Sequence, residues 1–163
     1  MNVRESRDRA QRMMRLALEK AREAAECGEV PVGAVIARGE EVIACAANAR
    51  EHSLDPTAHA EVLALREAAH RLGTRRLTGC TLYVTLEPCP MCAGAIVMAR
   101  PDALIFGAAD PAAGCTGSVY AITEDPAFGV GIPAYGGVLE TECAQVLRDF
   151  FAARRAEGEA HGF

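Results

Sequence analysis

One histidine and two cysteines in this 163-residue chain have the types and the spacing of a metal site. His59 is followed by Glu61, and Cys89 and Cys92 form a Cys-x-x-Cys pair. One nitrogen and two sulfur ligands suit zinc, and zinc held by only three protein ligands keeps a position open for water. Glu61 is then placed to move protons to and from that water. Metal, water and carboxylate together predict a hydrolytic reaction at neutral pH.

The order of these residues matches the H-x-E…P-C-x-x-C signature of zinc-dependent nucleobase deaminases. In that chemistry water attacks an amino-bearing ring carbon and ammonia leaves. We therefore predict one Zn²⁺ per chain, with His59, Cys89 and Cys92 as its ligands. Glu61 is the predicted catalytic residue, which takes a proton from the water and delivers it to a ring nitrogen and later to the departing amine.

Two other interpretations of the cysteine pair stay open. A Cys-x-x-Cys pair occurs in redox proteins, but that function gives no reason for His59 and Glu61 upstream. The pair could also be half of a structural zinc site, with Cys80 or Cys115 as a fourth ligand. The five cysteines outside the pair are interpreted as buried apolar residues: Cys27, Cys45, Cys80, Cys115 and Cys143.

The elements that must position these residues are two helix starts. A helix is predicted from about Ala58 to Leu72, after the helix-start cluster Asp55-Pro56-Thr57. Pro90 opens the next helix, which Pro101 ends. Because the positive end of a helix dipole lowers thiol pKa, cysteines at this helix start favour the thiolate form that binds metal.

The remaining pattern alternates strands with helices, which indicates an α/β layered fold. The first helix is predicted at Ser6–Cys27 and the last at Thr141–Arg155, with Cys143, Val146, Leu147, Phe150 and Phe151 on its apolar side. Residues 108–133 are predicted to form a long loop. The predicted strands are Pro31–Ala37, Glu41–Ala47, Cys80–Leu86, Ala103–Gly107 and Gly137–Leu139.

Length and composition indicate one domain over residues 1–163, with 50% hydrophobic residues and a mean hydropathy of +0.07. No apolar run reaches membrane-spanning length, and the start of the chain lacks the apolar core of a secretory signal. We expect a cytoplasmic protein without a membrane partner. The net charge of −5 argues weakly against nucleic acid, but residues 1–22 carry seven cations and three anions, a local +4.

Outside the ligands, the chain resembles the bacterial tRNA-specific adenosine deaminase family of the cytidine deaminase-like superfamily. The resemblance extends from about Met14 to Arg155. The matching segments are Glu29–Val35, Asp55–Glu61, Leu82–Cys89, Met91–Ala95, Phe106–Ala108 with Asp110, and Glu142-Cys143 leading to Phe150-Phe151 and Arg154-Arg155.

The resemblance implies a three-layer fold with a central mixed five-stranded sheet flanked by helices. It implies a homodimer that converts adenosine to inosine at the wobble position of a tRNA anticodon stem-loop, with the target base splayed into the pocket. The substrate-binding residues it implies are Val32 in the pocket wall, Asn48 on the nucleotide, the backbone of Ala60 on the base, Asp110 on a neighbouring sugar, and Phe151 with Arg154 on the anticodon loop.

Simpler roles exist for several of these residues. Asn48 could end a strand, Asp110 could cap the turn before Pro111, and Phe151 could belong to the core. Arg154 and Arg155 could complement the C-terminus of the last helix. The hydrophobic residues from Ala93 to Met98 are a candidate dimer surface, although burial in the core explains them as well.

Residues 124–142 depart from the family pattern, because they contain four anions and no cation. That stretch and the negative net charge of the chain favour an alternative function. In it, the enzyme acts on a free base or nucleoside, such as guanine, cytosine or a related aminated heterocycle. The catalytic residues would do the same work on either substrate. A non-catalytic RNA-binding or zinc-scaffold protein is a third possibility, but it would not need Glu61.

Overall fold

The computed structural model describes residues 3–160 of the chain. The strands are β1 Gly33–Arg38, β2 Glu41–Ala47, β3 Thr81–Leu86, β4 Ala103–Ala108 and β5 Ala134–Tyr135. The helices are α1 Val3–Glu26, α2 Arg50–Ser53, α3 Ala60–Leu72, α4 Pro90–Ala99 and α5 Glu140–Ala160, with 3-10 turns at Ile122–Glu124 and Pro126–Phe128. Within this described range, every helix is too short or too polar to cross a membrane.

The five strands form one mixed sheet in the order β2-β1-β3-β4-β5. β1 is antiparallel to both β2 and β3, whereas β3, β4 and β5 run parallel. The crossover between parallel strands β3 and β4 is α4, as parallel pairing requires a long connection. This topology confirms the predicted α/β fold with a mixed five-stranded sheet.

Helices cover both faces of the sheet and make it the middle of three layers. Successive side chains of a strand point to opposite faces. Ala34 and Ile36 of β1 therefore pack in a core that includes Ala64 of α3 and residues of α4. Val35 lies in the second core, beneath Met14 of α1 and near Cys143 of α5. The α3–α4 layer carries both halves of the predicted site.

Two elements differ from the predictions. No element was predicted between Ala47 and Asp55, but this segment contains the short helix α2. The last strand was predicted at Gly137–Leu139, but it lies at Ala134–Tyr135, where it pairs with Leu104 and Ile105. Gly137 and Leu139 have positive φ angles of 93° and 51°, which interrupt an extended strand. The loop over residues 108–133 also contains two 3-10 turns.

Helix boundaries account for three smaller differences. α5 extends from Glu140 to Ala160, so Arg154 and Arg155 lie inside it and do not complement its C-terminus. The cluster Asp55-Pro56-Thr57 precedes α3 instead of opening it, because Asp55 Oδ1 accepts hydrogen bonds from the backbone N–H and hydroxyl of Thr57. α1 begins at Val3 and ends at Glu26.

The prediction that five cysteines are buried is partly wrong. Cys80, Cys115 and Cys143 are buried, but Cys27 is exposed and Cys45 is half-buried. Cys27 follows the last residue of α1, where the helix gives way to the turn at Gly28, and it lines an open cavity. Hydrophobicity alone does not place a cysteine inside when it falls at the end of an element.

Candidate active site

Both halves of the site lie at helix N-termini, as predicted. His59 is the N-cap residue of α3, and Glu61 lies in the first turn of that helix. Cys89 is the N-cap residue of α4, where Pro90 occupies the first helical position, and Cys92 follows in the first turn. Both N-cap residues have extended backbone, and neither side chain makes a capping hydrogen bond to its helix.

The three predicted ligands meet at one point. Nδ1 of His59 lies 3.7 Å from Sγ of Cys89 and 3.5 Å from Sγ of Cys92. For Zn–S bonds of ~2.3 Å and Zn–N bonds of ~2.0 Å, a tetrahedral site separates sulfur from nitrogen by about 3.5 Å. The ligand atoms all lie within 4.8 Å of one another. The donor set and its spacing therefore fit one zinc ion.

The proposed fourth ligand of a structural zinc site is absent from this cluster. Of the His, Cys, Asp and Glu residues that the structure describes, only His59, Cys89 and Cys92 come together as a possible metal-binding group. Cys80 and Cys115 are buried, but neither belongs to this cluster. A three-ligand site of this kind leaves one tetrahedral position for water or substrate, which is the arrangement of catalytic zinc.

The two cysteines titrate as a pair. The pKa of Cys89 falls to about 4, because its thiolate accepts a hydrogen bond from Cys92 and lies beside His59. The pKa of Cys92 is raised, since its thiol donates to Cys89 and is buried. The hydrogen bond to Cys89 also raises the pKa of His59. The thiolate is the form of cysteine that binds a metal ion, so the lowered pKa of Cys89 suits it to metal ligation.

Glu61 is a buried carboxylate with a free oxygen. Its side chain is 4% exposed, and among the described residues no hydrogen-bond partner reaches Oε2. Burial raises its pKa to about 7, and the charge of His59 only partly offsets this effect. A carboxylate whose pKa lies near neutrality both accepts and donates protons efficiently at that pH. Glu61 therefore has the properties of a proton shuttle.

A small cavity of about 170 Å³ opens onto His59, Glu61 and Cys89. Val32, Asn48 and Asp110, which were predicted to bind substrate, line the same cavity. Ala60 is fully buried at the start of α3, between His59 and Glu61 in the sequence. Sites for drug-sized ligands occupy about 300–1,000 Å³, so this cavity has room for a single ring system.

The cavity also has lining residues that the sequence did not predict as site residues. They are Val30, Arg50, Leu86 and Glu87. Leu86 and Glu87 lie within the Leu82–Cys89 segment, which resembles the family. The sequence could therefore have indicated them as residues near the site. Nothing in the sequence singles out Arg50, which reaches the cavity only because α2 follows β2 directly.

Asp110 has a structural role in addition to its place in the cavity wall. Its Oδ1 accepts hydrogen bonds from the backbone N–H groups of Ala112 and Ala113, at 3.0 and 3.2 Å. This confirms that Asp110 caps the turn at Pro111. Its role on a neighbouring sugar stays a prediction.

A larger cavity of about 560 Å³ adjoins the small one, and Val30 and Arg50 line both. Phe151 and Arg154, which were predicted to meet RNA, lie in its wall. Phe151 is 44% exposed, which contradicts the alternative that it is a core residue. Arg154 donates a hydrogen bond to the carbonyl of Gly28, so α5 is attached to the end of α1 at this cavity.

Aromatic stacking orders the same wall. The guanidinium of Arg154 lies 5.1 Å from the centre of the Phe150 ring. The rings of Phe150 and Phe151 meet edge to face, with centroids 5.4 Å apart. Such contacts hold a cation and an exposed ring in fixed positions. Unpaired bases stack on surfaces of this kind.

The sequence model of the cytidine and deoxycytidylate deaminase zinc-binding region matches residues 7–108. The tRNA-specific adenosine deaminase of Bacillus subtilis (strain 168) is 47% identical over 147 residues, which cover 90% of this chain and 91% of that protein. A solved structure from a study of A-to-I editing by tRNA:A34 deaminases at the wobble position of transfer RNA is 44% identical, with a TM-score of 0.81. The match covers 83% of this chain and 99% of that one.

A guanine deaminase of known structure from Bacillus subtilis is 42% identical, with a TM-score of 0.59, over 67% of this chain and 66% of that one. The match to the tRNA-specific deaminases is more extensive in both sequence and structure. The chain therefore belongs to the cytidine and deoxycytidylate deaminase family, and within it to the tRNA-specific adenosine deaminases.

Proposed function

We propose that this protein deaminates adenosine to inosine at the wobble position of a tRNA anticodon. The observation that carries the proposal is the buried carboxylate of Glu61 at the base of a cavity whose wall also holds His59 and Cys89. The relatives named for this activity cover nearly the whole chain, which supports the choice of substrate.

His59, Cys89 and Cys92 would hold one zinc ion in each chain. When bound, zinc supplies a Lewis acid that lowers the pKa of water and so makes a nucleophile available at neutral pH. The protein contributes the ligand geometry, because the sheet and the two helix starts bring Nδ1 of His59 to within 3.7 Å of both sulfur atoms.

Glu61 moves the protons of the reaction. Its carboxylate takes a proton from the attacking water and delivers it to a ring nitrogen of adenine. It then passes a second proton to the departing amine, so adenosine and water become inosine and ammonia. A pKa near 7 suits both directions of transfer, and a shuttle of this kind contributes about 10²–10⁴-fold in rate.

The flipped base would enter the small cavity against Val32, with Asn48 hydrogen-bonding the nucleotide and the backbone of Ala60 reading the base. Asn48 is 7% exposed and Val32 is 7% exposed, so a base that reaches them leaves water almost completely. Asp110 at the cavity wall would contact a neighbouring sugar. Flipping is inexpensive in an anticodon loop, because its bases are already unpaired.

The rest of the anticodon loop would cross the larger cavity, where Phe151 offers a stacking surface and Arg154 a cation. Two of the four anions of residues 124–142 accept hydrogen bonds from the backbone of the same segment. Oε1 of Glu124 accepts a hydrogen bond from the backbone of Ala134, and Oδ1 of Asp125 caps a 3-10 turn at Ala127. Because these two carboxylates stabilise the loop, their presence is a weaker argument against an RNA substrate.

A second copy of the chain would cover the apolar groove between α3 and α4. This groove of about 310 Å³ is lined by Val62, Leu65, Ala95 and Met98, and Met98 is 70% exposed. An exposed methionine in an apolar groove is typical of a protein interface. We infer a homodimer that works in the cytoplasm, where its tRNA substrate lies.

A free-base deaminase is the second candidate. Two observations favour it: the similarity of this chain to a guanine deaminase, and a cavity with room for one ring system without any RNA. The zinc ligands and Glu61 would act identically on such a base, so the site chemistry does not separate the two candidates.

The deciding experiment measures inosine formation by zinc-loaded protein on a short stem-loop RNA with adenosine at the wobble position. We expect inosine at that position alone, and no inosine with the Glu61→Ala variant carrying the same zinc content. Absence of inosine with one zinc per chain would instead favour the free-base enzyme, which ammonia release from a panel of purines and pyrimidines would identify. Unchanged turnover in Glu61→Ala would contradict both enzymatic proposals.

A further inference from the structure

Glu87 is a buried carboxylate with no cation beside it in the structure. Its side chain is 2% exposed, and the salt bridges found among residues 3–160 do not include it. It follows β3 directly and lies two residues before the predicted zinc ligand Cys89. A buried charge without a counter-ion is costly unless several hydrogen bonds satisfy its oxygens.

Those hydrogen bonds all come from one loop. Oε2 accepts from the backbone N–H of Asp110 at 2.9 Å and from the hydroxyl of Ser118. Oε1 accepts from the backbone N–H groups of Thr116 and Ser118, at 3.1 and 3.0 Å, and from the Thr116 hydroxyl at 3.3 Å. Five donors over residues 110–118 thus converge on a single carboxylate.

The loop is fitted around this carboxylate. A Cβ atom on Gly114 would overlap the carboxylate of Glu87, so only glycine lets the backbone pass at this distance. The backbone N–H of Cys115 donates to the carbonyl of Pro88 at 2.9 Å, and the N–H of Glu87 donates to Ala108 at 2.8 Å. The end of β4 and the middle of the loop are therefore both attached to the segment that leads into Cys89.

Glu87 and Asp110 also line the small cavity together with His59 and Glu61. The backbone N–H of Asp110 donates a hydrogen bond to Glu87, which fixes the position of Asp110. The Asp110 carboxylate caps the turn that follows. A displacement of this loop would move Asp110, and with it part of the cavity wall. It would leave the ligand atoms of His59, Cys89 and Cys92 in place.

We propose that Glu87 is a positioning residue that holds loop 110–118 and thereby keeps Asp110 in the wall of the small cavity, and so sets how tightly the target nucleotide is held. This inference rests on the proposed deaminase function for its kinetic readout. It assigns to Glu87 no contact with the reacting atoms. Its signature is a change in KM with little change in kcat, because the zinc ligands and Glu61 stay in place.

The test compares Glu87→Gln with the wild-type protein on the stem-loop RNA. The amide group of glutamine keeps the side-chain shape but replaces one accepting oxygen with a donor, which opposes the donors of the loop. We expect KM to rise about 10-fold or more, as loss of hydrogen bonds to a charged group implies, with kcat within 3-fold and zinc content unchanged. Equal loss of kcat and kcat/KM at full zinc content would overturn the proposal.

A second readout needs no substrate. Hydrogen exchange at the amides of Asp110, Thr116 and Ser118 should accelerate about 10-fold in Glu87→Gln, while the amides of β3 stay protected. If the wild type acts on a free base instead of RNA, the same kinetic comparison is made with that base, so failure of the proposed substrate is distinguishable from failure of the Glu87 role.

Two further variants keep the test decisive if Glu87→Gln does not fold. Gly114→Ala retains Glu87 but forces the loop away from it, so KM should rise as in Glu87→Gln. Ser118→Ala removes only one hydroxyl donor and should raise KM less than either. If loop exchange and KM both stay within 2-fold of wild type in the variants that fold, Glu87 does not position the cavity wall.

Discussion

Nδ1 of His59 lies 3.5 Å from Sγ of Cys92, although 33 residues separate the two in the sequence. The intervening chain completes α3, crosses the middle of the sheet as β3 and enters α4. The two helix starts are held by a core in which Ala60, Val84 and Ile96 are fully buried. The positions of these predicted ligand atoms are therefore set by packing between elements that lie far apart in the chain.

Loss of zinc should lower the stability of the protein. At a free zinc concentration about 100-fold above Kd, binding contributes about 2.7 kcal/mol. For a chain of this length a chelator should then reduce Tm by about 5–10 °C. Differential scanning calorimetry with and without chelator measures the change.

The Cys92→Ser variant should lose zinc and the stability that zinc provides, because a hydroxyl is a poor zinc ligand. The matched control is Cys27→Ser, which alters an exposed cysteine outside the ligand cluster. Metal analysis should find about one zinc per chain in the control and far less in Cys92→Ser. Equal zinc in the two variants would exclude Cys92 as a ligand.

Glu61→Gln should alter the pH dependence of stability. Burial raises the folded-state pKa of Glu61 from an ordinary 4.5 to about 7, so the folded chain binds the proton more tightly than the unfolded chain. Between those pH values stability falls as pH rises, by up to about 3 kcal/mol at pH 8. With zinc removed by a chelator, we expect the Glu61→Gln variant to be more stable than the wild type at pH 8. At pH 4 the two proteins should have similar stability.

Urea unfolding of both proteins across this pH range measures the difference directly. Because Glu61 interacts with His59, Cys89 and Cys92, the difference between the two curves measures the Glu61 charge together with its effect on these neighbours. Parallel curves of unfolding free energy against pH would mean that burial does not raise the pKa of Glu61.

Asn48→Ala should weaken substrate binding more than it slows the chemical step. Asn48 lines the small cavity and is 7% exposed, so a nucleotide that loses its hydrogen bond leaves buried polar groups unpaired. We expect KM to rise about 10-fold with zinc content unchanged. An unchanged KM on the stem-loop RNA would remove Asn48 from the binding site.

Arg154→Ala should reduce RNA affinity and its salt dependence. A guanidinium has five donors, so the bond of Arg154 to the Gly28 carbonyl leaves others for a phosphate. Loss of one phosphate contact should lower the slope of log K against log salt by about 0.7 for single-stranded RNA. The control is Arg155→Ala, which changes an exposed arginine outside both cavities. Fluorescence anisotropy at several salt concentrations separates the two variants.

Cys27 should react with an alkylating reagent long before Cys143. Burial raises the pKa of Cys143 to about 12, so only about one part in 10⁴ is thiolate at pH 8. Cys27 is exposed at the larger cavity. Mass spectrometry after brief treatment with iodoacetamide should find Cys27 modified and Cys143 intact until denaturant is added. Early modification of Cys143 would indicate that α5 opens readily.

The sequence alone determined the chemistry of this protein and most of its elements. His59, Cys89 and Cys92 were identifiable as candidate zinc ligands, and Glu61 as a candidate proton shuttle, because such chemistry requires particular residue types at short spacing. Both helix starts and four of the five strands were predicted to within two residues, since capping residues and alternating hydrophobicity act over a few neighbours.

Tertiary structure alone decided which distant residues share the cavity. Arg50 and Val30 reach it through α2 and the turn before β1. Arg50 has no distinctive local pattern, and Val30 lies in the matching segment Glu29–Val35 but was given no role there. The position of β5 depended on pairing with β4, which local propensity at Gly137 did not reveal. Glu87 became informative only when five donors of loop 110–118 were found around it. Such relationships arise from packing between segments far apart in the chain, and spacing along the sequence carries no direct record of them.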